Sequence, residues 1–401
     1  MSVRGPRPTQ AVIFAGGQGT RLRPLTEHIP KPLVRVAGRP FIDYLIELLR
    51  DQGFDRIVML LGYRAEAMAE YLGDGSRWGI DISLSVTPPD RQTLTRLRAA
   101  APLLDDIVLI AYCDNYVPLD FGVMWQQFTE TAASVQVTAY ANDDGFTRNN
   151  MLVDDAGLVR EYDPTRSSSG LNRVDLGFAI ADLGRLGPLP TDDQPFEHAI
   201  YPRLVRQGQL RSTVTQHRYY GVGSLDRLPA AERFFARRPA VILHQAGVLN
   251  WRTPTPRDRS DPAGFVWLDG ALTALRLLTQ AGFLILVTTS RATIARGPVS
   301  TGHLAAANSK LIYDATAAGA RIEGIYHCSP TGDDRCAWHE PALGLLYQAQ
   351  HDFALDLSRT VFVGGDDRDE LTARAAGCGY RQVGPGYSLL DVTYELTAGV
   401  M

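Results

Sequence analysis

Three glycines, Gly16, Gly17 and Gly19, stand directly after an apolar run, Ala11 to Ala15, in the stretch QAVIFAGGQGTRLRPLTEHIPKPL. Glycines at such a place let the backbone take positive φ and bring N–H groups close to a bound group. A loop of this kind after a strand can hold phosphate. Cations follow at once: Arg21, Arg23 and then Lys31, which sits between Pro30 and Pro32. Each proline fixes its own φ and biases the residue before it towards extended geometry, so Lys31 is carried on a stiff segment. No Gly-Lys-Ser/Thr follows the glycines, which excludes a Walker A loop, and Leu22 stands where a dinucleotide-binding pattern needs its third glycine. A second candidate is Asp114, in Cys113-Asp114-Asn115, after the apolar run Ile107 to Tyr112. A carboxylate at a strand end facing a triphosphate is a natural Mg²⁺ ligand. The plainer alternative is a turn-forming aspartate.

The elements that must position these groups alternate. Phe41 to Leu49 has helical spacing, with Gly53 just past its end. Arg56 to Leu61 and Ile80 to Val86 read as strands, Glu66 to Leu72 and Leu94 to Leu104 as helices, and Ile107 to Tyr112 as a further buried strand. Alternating strands and helices imply an α/β fold with a mostly parallel sheet covered on both faces. Ligands bind beyond the carboxyl ends of such strands, and the glycine loop and Asp114 both follow strand ends. After RFFARRP, Arg233 to Pro239, the alternation restarts. The chain therefore reads as two α/β domains, 1–236 and 237–401.

The string GGQGTRLRPLTEHIPKPL, with VRVAGRPFIDYLIELL after it, resembles the signature of sugar-1-phosphate nucleotidyltransferases. The resemblance implies a Rossmann-like mixed sheet and the joining of a nucleoside triphosphate to a sugar 1-phosphate with release of pyrophosphate. It implies Arg21 on the pyrophosphate, Lys31 on the α-phosphate and Asp114 on Mg²⁺. Ala15, Gly16, Gly17, Gly19, Thr20 and Thr93 would line the nucleotide, and Gly177 and Glu197 the sugar. Several positions depart from the pattern. Gln92, Leu94, Thr95 and Arg96 replace the small residues of a glycine-rich run and are expected to reshape the pocket or bring new polar contacts. Asp163 stands where many relatives have a lysine that holds the sugar phosphate, and is expected to repel it. Gly221 stands where relatives often carry a second metal-binding aspartate.

The second half resembles heptose-bisphosphate and histidinol-phosphate phosphatases of the haloacid dehalogenase superfamily through AVILHQAGVLN, FVWLDGALTALRLLTQAGFLILVTTS and VFVGGDDRDELTARAAGC. Its catalytic positions are altered. His244, Gln245, Ala246 and Gly247 occupy the family's Asp-Arg-Asp-Gly. Thr288 and Asp369 are kept, Glu340 replaces the phosphate-binding lysine, and Gly365 replaces a metal-binding aspartate. Ala246 cannot exchange a proton. The expectation is an inactive, structural or regulatory half. Cys328 and Cys336 do not make up a secure four-ligand zinc set and read as ordinary thiols.

The 401 residues carry a formal net charge of −4, which argues against a general nucleic-acid surface. No run is long and apolar enough to span a membrane. Four scattered cysteines and no apolar leader fit a cytoplasmic protein. Two functions are carried forward. One is a nucleotidyltransferase that activates a heptose-like or cyclitol 1-phosphate with Mg²⁺, guanylyl transfer being one form of it. The other is a catalytically silent nucleotide- or sugar-phosphate-binding regulator or scaffold. A homo-oligomer is compatible with either.

Overall fold

The computed structural model describes residues 6–236, 238–251, 265–289, 301–327 and 343–398. Its contacts divide into two compact units, Met1–Phe235 and Ala236–Met401. In the first, seven strands form one sheet in the order Leu210–Thr215, Val135–Tyr140, Val174–Asp182, Ile107–Tyr112, Gln10–Ala15, Arg56–Leu61 and Asp81–Val86. All neighbours run parallel except Val174–Asp182, which is antiparallel to both of its partners. The sheet is therefore mixed. The Gln10–Ala15 strand lies between two parallel neighbours and is buried along its whole length, which is why it reads as a continuous apolar run rather than an alternating one.

The helix Phe41–Asp51 buries eight of its eleven residues. Helix Leu228–Phe235 closes the unit with an aromatic staple. Phe235 stacks on Tyr44 at 4.0 Å and Phe234 on Tyr220 at 4.0 Å. Tyr116 packs against both phenylalanines. The short pair Asn115–Tyr116 with Tyr220–Gly221 is thereby fixed beside Asp114.

In the second unit five parallel strands lie in the order Gly324–His327, Leu284–Thr289, Ala240–His244, Thr360–Gly364 and Gly379–Gln382. Alternate residues of Ala240–His244 enter two separate cores: Val241 and Leu243 one, Ala240 and Ile242 the other. The strand is covered on both faces, as a parallel sheet requires.

Candidate active site

The Gln10–Ala15, Arg56–Leu61 and Ile107–Tyr112 strands are parallel neighbours, so their carboxyl ends open onto one edge. The first end continues into the glycine loop. The amides of Gly17, Gln18 and Gly19 donate to no group among the described residues, and Gly17 and Gln18 are exposed. Gly19 has φ +63°, and a Cβ there would lie 3.1 Å from both Lys31 Cβ and Thr26 Cγ2. Only glycine meets both demands. Thr26 Oγ1 donates to Gly19 O at 2.8 Å and pins the turn. Pro30 caps a single 3-10 turn, Lys31–Leu33, with Pro32 inside it, and this turn carries Lys31.

Lys31 Nζ meets Asp114 Oδ2 at 2.5 Å, with only 13% and 21% of the two side chains exposed. The two groups singled out for opposite charge chemistry are thus partners. Arg21 is exposed and its Nη2, like Asp114 Oδ2, lies about one contact distance from Gly223, at 4.0 Å and 3.9 Å from a Cβ built there. Arg21, Lys31 and Asp114 therefore converge. Burial pushes the neighbouring Cys113 thiol up to about 12, which keeps it protonated and inert.

On the other side of the Ile107–Tyr112 strand lies a second cluster. Tyr112 donates its hydroxyl to Glu197, the second residue of helix Phe196–Gln207. Gly177 takes φ +78° at a bulge in the Val174–Asp182 strand, and a Cβ there would press on the Tyr112 ring at 3.0 Å. Gly177 and Glu197 thus meet through a tyrosine that the sequence did not single out. Asp175, beside them, is pushed up to about 7, first by burial, then by the Glu197 charge, against the Gly177 N–H and the Arg166 charge. It keeps some solvent access. Its folded pKa exceeds its unfolded one, so its stabilising protonated form is fully present below about pH 4 and is lost as pH rises through about 7. Asp175→Asn removes that ionisation. The variant is expected to melt higher than the parent at pH 8 and equally at pH 4. An equal melting difference at both would show that the carboxyl is solvated like a surface group.

Three further positions are placed as follows. Asp163, expected to repel a sugar phosphate, spends its charge on its own loop. Its carboxylate accepts from the amides of Thr165, Ser167 and Ser168 at 2.7–2.8 Å and from two hydroxyls, which hold it well below the usual carboxylate range. The same loop presents Arg166, at φ +59°, which acts electrostatically on Asp175 and Tyr162. Thr93 Oγ1 accepts a hydrogen bond from Phe196 N–H at 2.7 Å, tying two helices together. Gly221 is no open seat for a second carboxylate, because a Cβ there would meet Asp114 O at 2.5 Å and Asn115 Oδ1 at 2.8 Å. The position that looks onto Asp114 with room is Gly223. The sequence pointed to Gly221 and did not single out Gly223. Ala15 is buried at the strand end and Thr20 is exposed at the start of a 3-10 turn beside the loop.

A metal at this site has one well-placed carboxylate. Asp114 is partly exposed, and its Oδ2 is paired with Lys31, which a metal would have to compete with. Among the described residues no three His, Cys, Asp or Glu side chains form a closed metal set.

Residues 10–148 match the family model described as "Nucleotidyl transferase". This stretch of the N-terminal unit is similar to nucleotidyl transferases. A UTP–glucose-1-phosphate uridylyltransferase from Synechocystis is 43% identical over 224 residues, half of this chain and 56% of that one. The chain spans about half the length of two such curated relatives, 56% and 52%. A solved structure of HddC from Yersinia pseudotuberculosis with GMP-PN is 23% identical, covers 56% of this chain and 99% of that one, and has a TM-score of 0.49. A D,D-heptose 1,7-bisphosphate phosphatase structure from B. bronchiseptica is 26% identical, covers 40% of this chain and 98% of that one, and has a TM-score of 0.36. The nucleotidyl transferase match includes the glycine loop, Lys31 and Asp114 and stops before Gly177, Glu197 and Gly223. Among the described residues no helix is long and apolar enough to cross a membrane.

In the second unit His244 Nδ1 lies 2.6 Å from Asp369 Oδ1, and the other oxygen of Asp369 accepts from Gly365 N at 2.8 Å. Asp369 also packs directly on Gly364. Thr288 is buried in register with His244. Glu340, Cys328 and Cys336 lie outside the described residues.

Proposed function

We propose that the N-terminal unit transfers a nucleotidyl group from a nucleoside triphosphate to a sugar-like 1-phosphate. The observation that supports this best is the convergence of Arg21, Lys31 and Asp114 beside a loop with unengaged amides. An acceptor phosphate oxygen attacks the α-phosphorus, the bond to the bridging oxygen breaks, and pyrophosphate leaves. The protein positions phosphates and neutralises charge rather than bonding covalently. Arg21, exposed beside the loop, is suited to the departing pyrophosphate. Lys31, on its rigid turn, is suited to the α-phosphate. Asp114 would hold Mg²⁺, whose chemistry is to bridge and neutralise phosphate oxygens. Residues Tyr112, Asp175, Gly177 and Glu197 would face the acceptor, with Arg166 supplying the cation that Asp163 does not.

A heptose-like or cyclitol 1-phosphate is the acceptor we favour and GTP the donor, with UTP as the competing donor. The test incubates the full chain with Mg²⁺, each triphosphate and a panel of sugar and cyclitol 1-phosphates, and reads pyrophosphate. No release with any pair, alongside measurable triphosphate binding, would favour the silent binding protein.

The second unit, in this reading, hydrolyses no sugar bisphosphate. Ala246 offers no acid–base group, and both oxygens of Asp369 are engaged by His244 and Gly365. No Mg²⁺-dependent phosphate release above the buffer control is expected from heptose 1,7-bisphosphate. Release that His244→Ala abolishes would overturn this.

A further inference from the structure

Arg96 is 3% exposed, on the inner face of helix Thr93–Ala99. Its guanidinium donates to Leu61 O at 2.7 Å, Thr87 Oγ1 at 2.5 Å, Pro89 O at 3.1 Å and Gly16 O at 3.2 Å. No carboxylate reaches it among the described residues. Burial lowers its pKa, opposed by the charges of Asp193 and Asp90, yet a guanidinium stays charged. A Cβ on either Gly16 or Gly62 would overlap the guanidinium. Both glycines leave room for it, and they end the Gln10–Ala15 and Arg56–Leu61 strands.

We infer that Arg96 is a positioning residue for the phosphate loop: it holds the Gly16 carbonyl inward so that the Gly17 N–H points out to the triphosphate. Across a planar trans peptide the carbonyl of one residue and the N–H of the next point in opposite directions. Gly16 O accepts from Arg96 and from Tyr63 N at 3.0 Å, both on the protein side. Gly17 N–H is therefore turned the other way, and Gly17 is exposed. The same guanidinium sets a fixed positive charge directly behind the loop, where water screens it poorly. Arg96 stands in a run where the resembling family has small residues, so this device belongs to this chain's own departure from the pattern.

The inference rests on the nucleotidyl transfer reading, and the test separates the two. Binding of UTP, GTP and inorganic pyrophosphate to the full chain is measured by calorimetry, with KM for triphosphate and for sugar 1-phosphate taken wherever turnover is found. Arg96→Met is expected to weaken pyrophosphate and triphosphate binding on the order of tenfold or more, as loss of a charge-assisted bond does. KM for the sugar phosphate should stay unchanged, whereas general loosening of the fold would move both. Arg96→Lys, which keeps a buried cation but cannot bridge four oxygens, should fall between. If Arg96→Met does not fold, millimolar guanidinium added to Arg96→Ala is expected to restore pyrophosphate binding. A wild-type chain that binds pyrophosphate and variants that bind it equally well would overturn the inference alone. A wild-type chain that binds none of the three probes would overturn both.

Discussion

Lys31→Ala lowers turnover by on the order of a hundredfold or more, the usual cost of losing one donor that acts on charge developing in a transition state. The structure adds a second expectation. Lys31 is the ion-pair partner of Asp114, so its removal leaves that half-buried carboxylate without its direct partner. A metal brought by the nucleotide then meets less competition. The Mg²⁺ concentration for half-maximal rate should therefore stay the same or fall while kcat collapses. Arg21→Ala costs a similar factor in rate, but its signature differs: inhibition by added pyrophosphate should weaken, because Arg21 is the exposed cation suited to the leaving group. Initial rates over a Mg²⁺ series, with and without pyrophosphate, measure all of this. Turnover like that of the parent in either variant would end the role assignment.

Gly221 and Gly223 make a paired prediction with opposite outcomes. Gly221→Asp must push its Cβ into the Asp114 carbonyl, 2.5 Å away, in a short strand pair held by Phe234, Phe235 and Tyr116. Backbone cannot yield as a flexible side chain can, so overpacking should cost about 1–3 kcal/mol and lower Tm by several degrees. Asp114 would shift with it, and activity should drop. Gly223→Asp instead places a carboxylate facing Asp114 Oδ2 with ordinary contact space, and with Arg21 near enough to offset the added charge. It should fold and bind Mg²⁺ on the order of tenfold more tightly, since ligand charge tunes affinity for hard cations. Melting curves with and without Mg²⁺ decide it. A stable Gly221→Asp that tightens the metal would show that the Asn115–Tyr116 pairing gives way.

The elements were largely legible because their causes are local. A strand buried on both faces must be apolar throughout, as Gln10–Ala15 and Ile107–Tyr112 are after their first residues. A helix covering a sheet shows its period, as Phe41–Asp51 does. The phosphate loop was legible for the same reason: glycines, prolines and cations at fixed spacing constrain the backbone through their own covalent geometry. The antiparallel course of Val174–Asp182 was not, since strand direction has no local cause in its sequence.

Charge pairing also lay beyond the sequence. Asp163 read as a charge that would repel a sugar phosphate, and only the folded loop showed three amides closing on it. Arg96 read as a bulky substitution, and only the packing of two strand ends showed why Gly16 and Gly62 accompany it. Lys31 and Asp114 are 83 residues apart, yet each meets the other because two strands are neighbours in a parallel sheet. The sequence by itself determined which backbone segments can bend, stiffen and bury, because those are properties of single residues and their nearest neighbours. Which carboxylate faces which cation, and which of two glycines looks onto Asp114, were decided by tertiary structure alone, because electrostatic and steric contact depend on distance in space and not on distance along the chain.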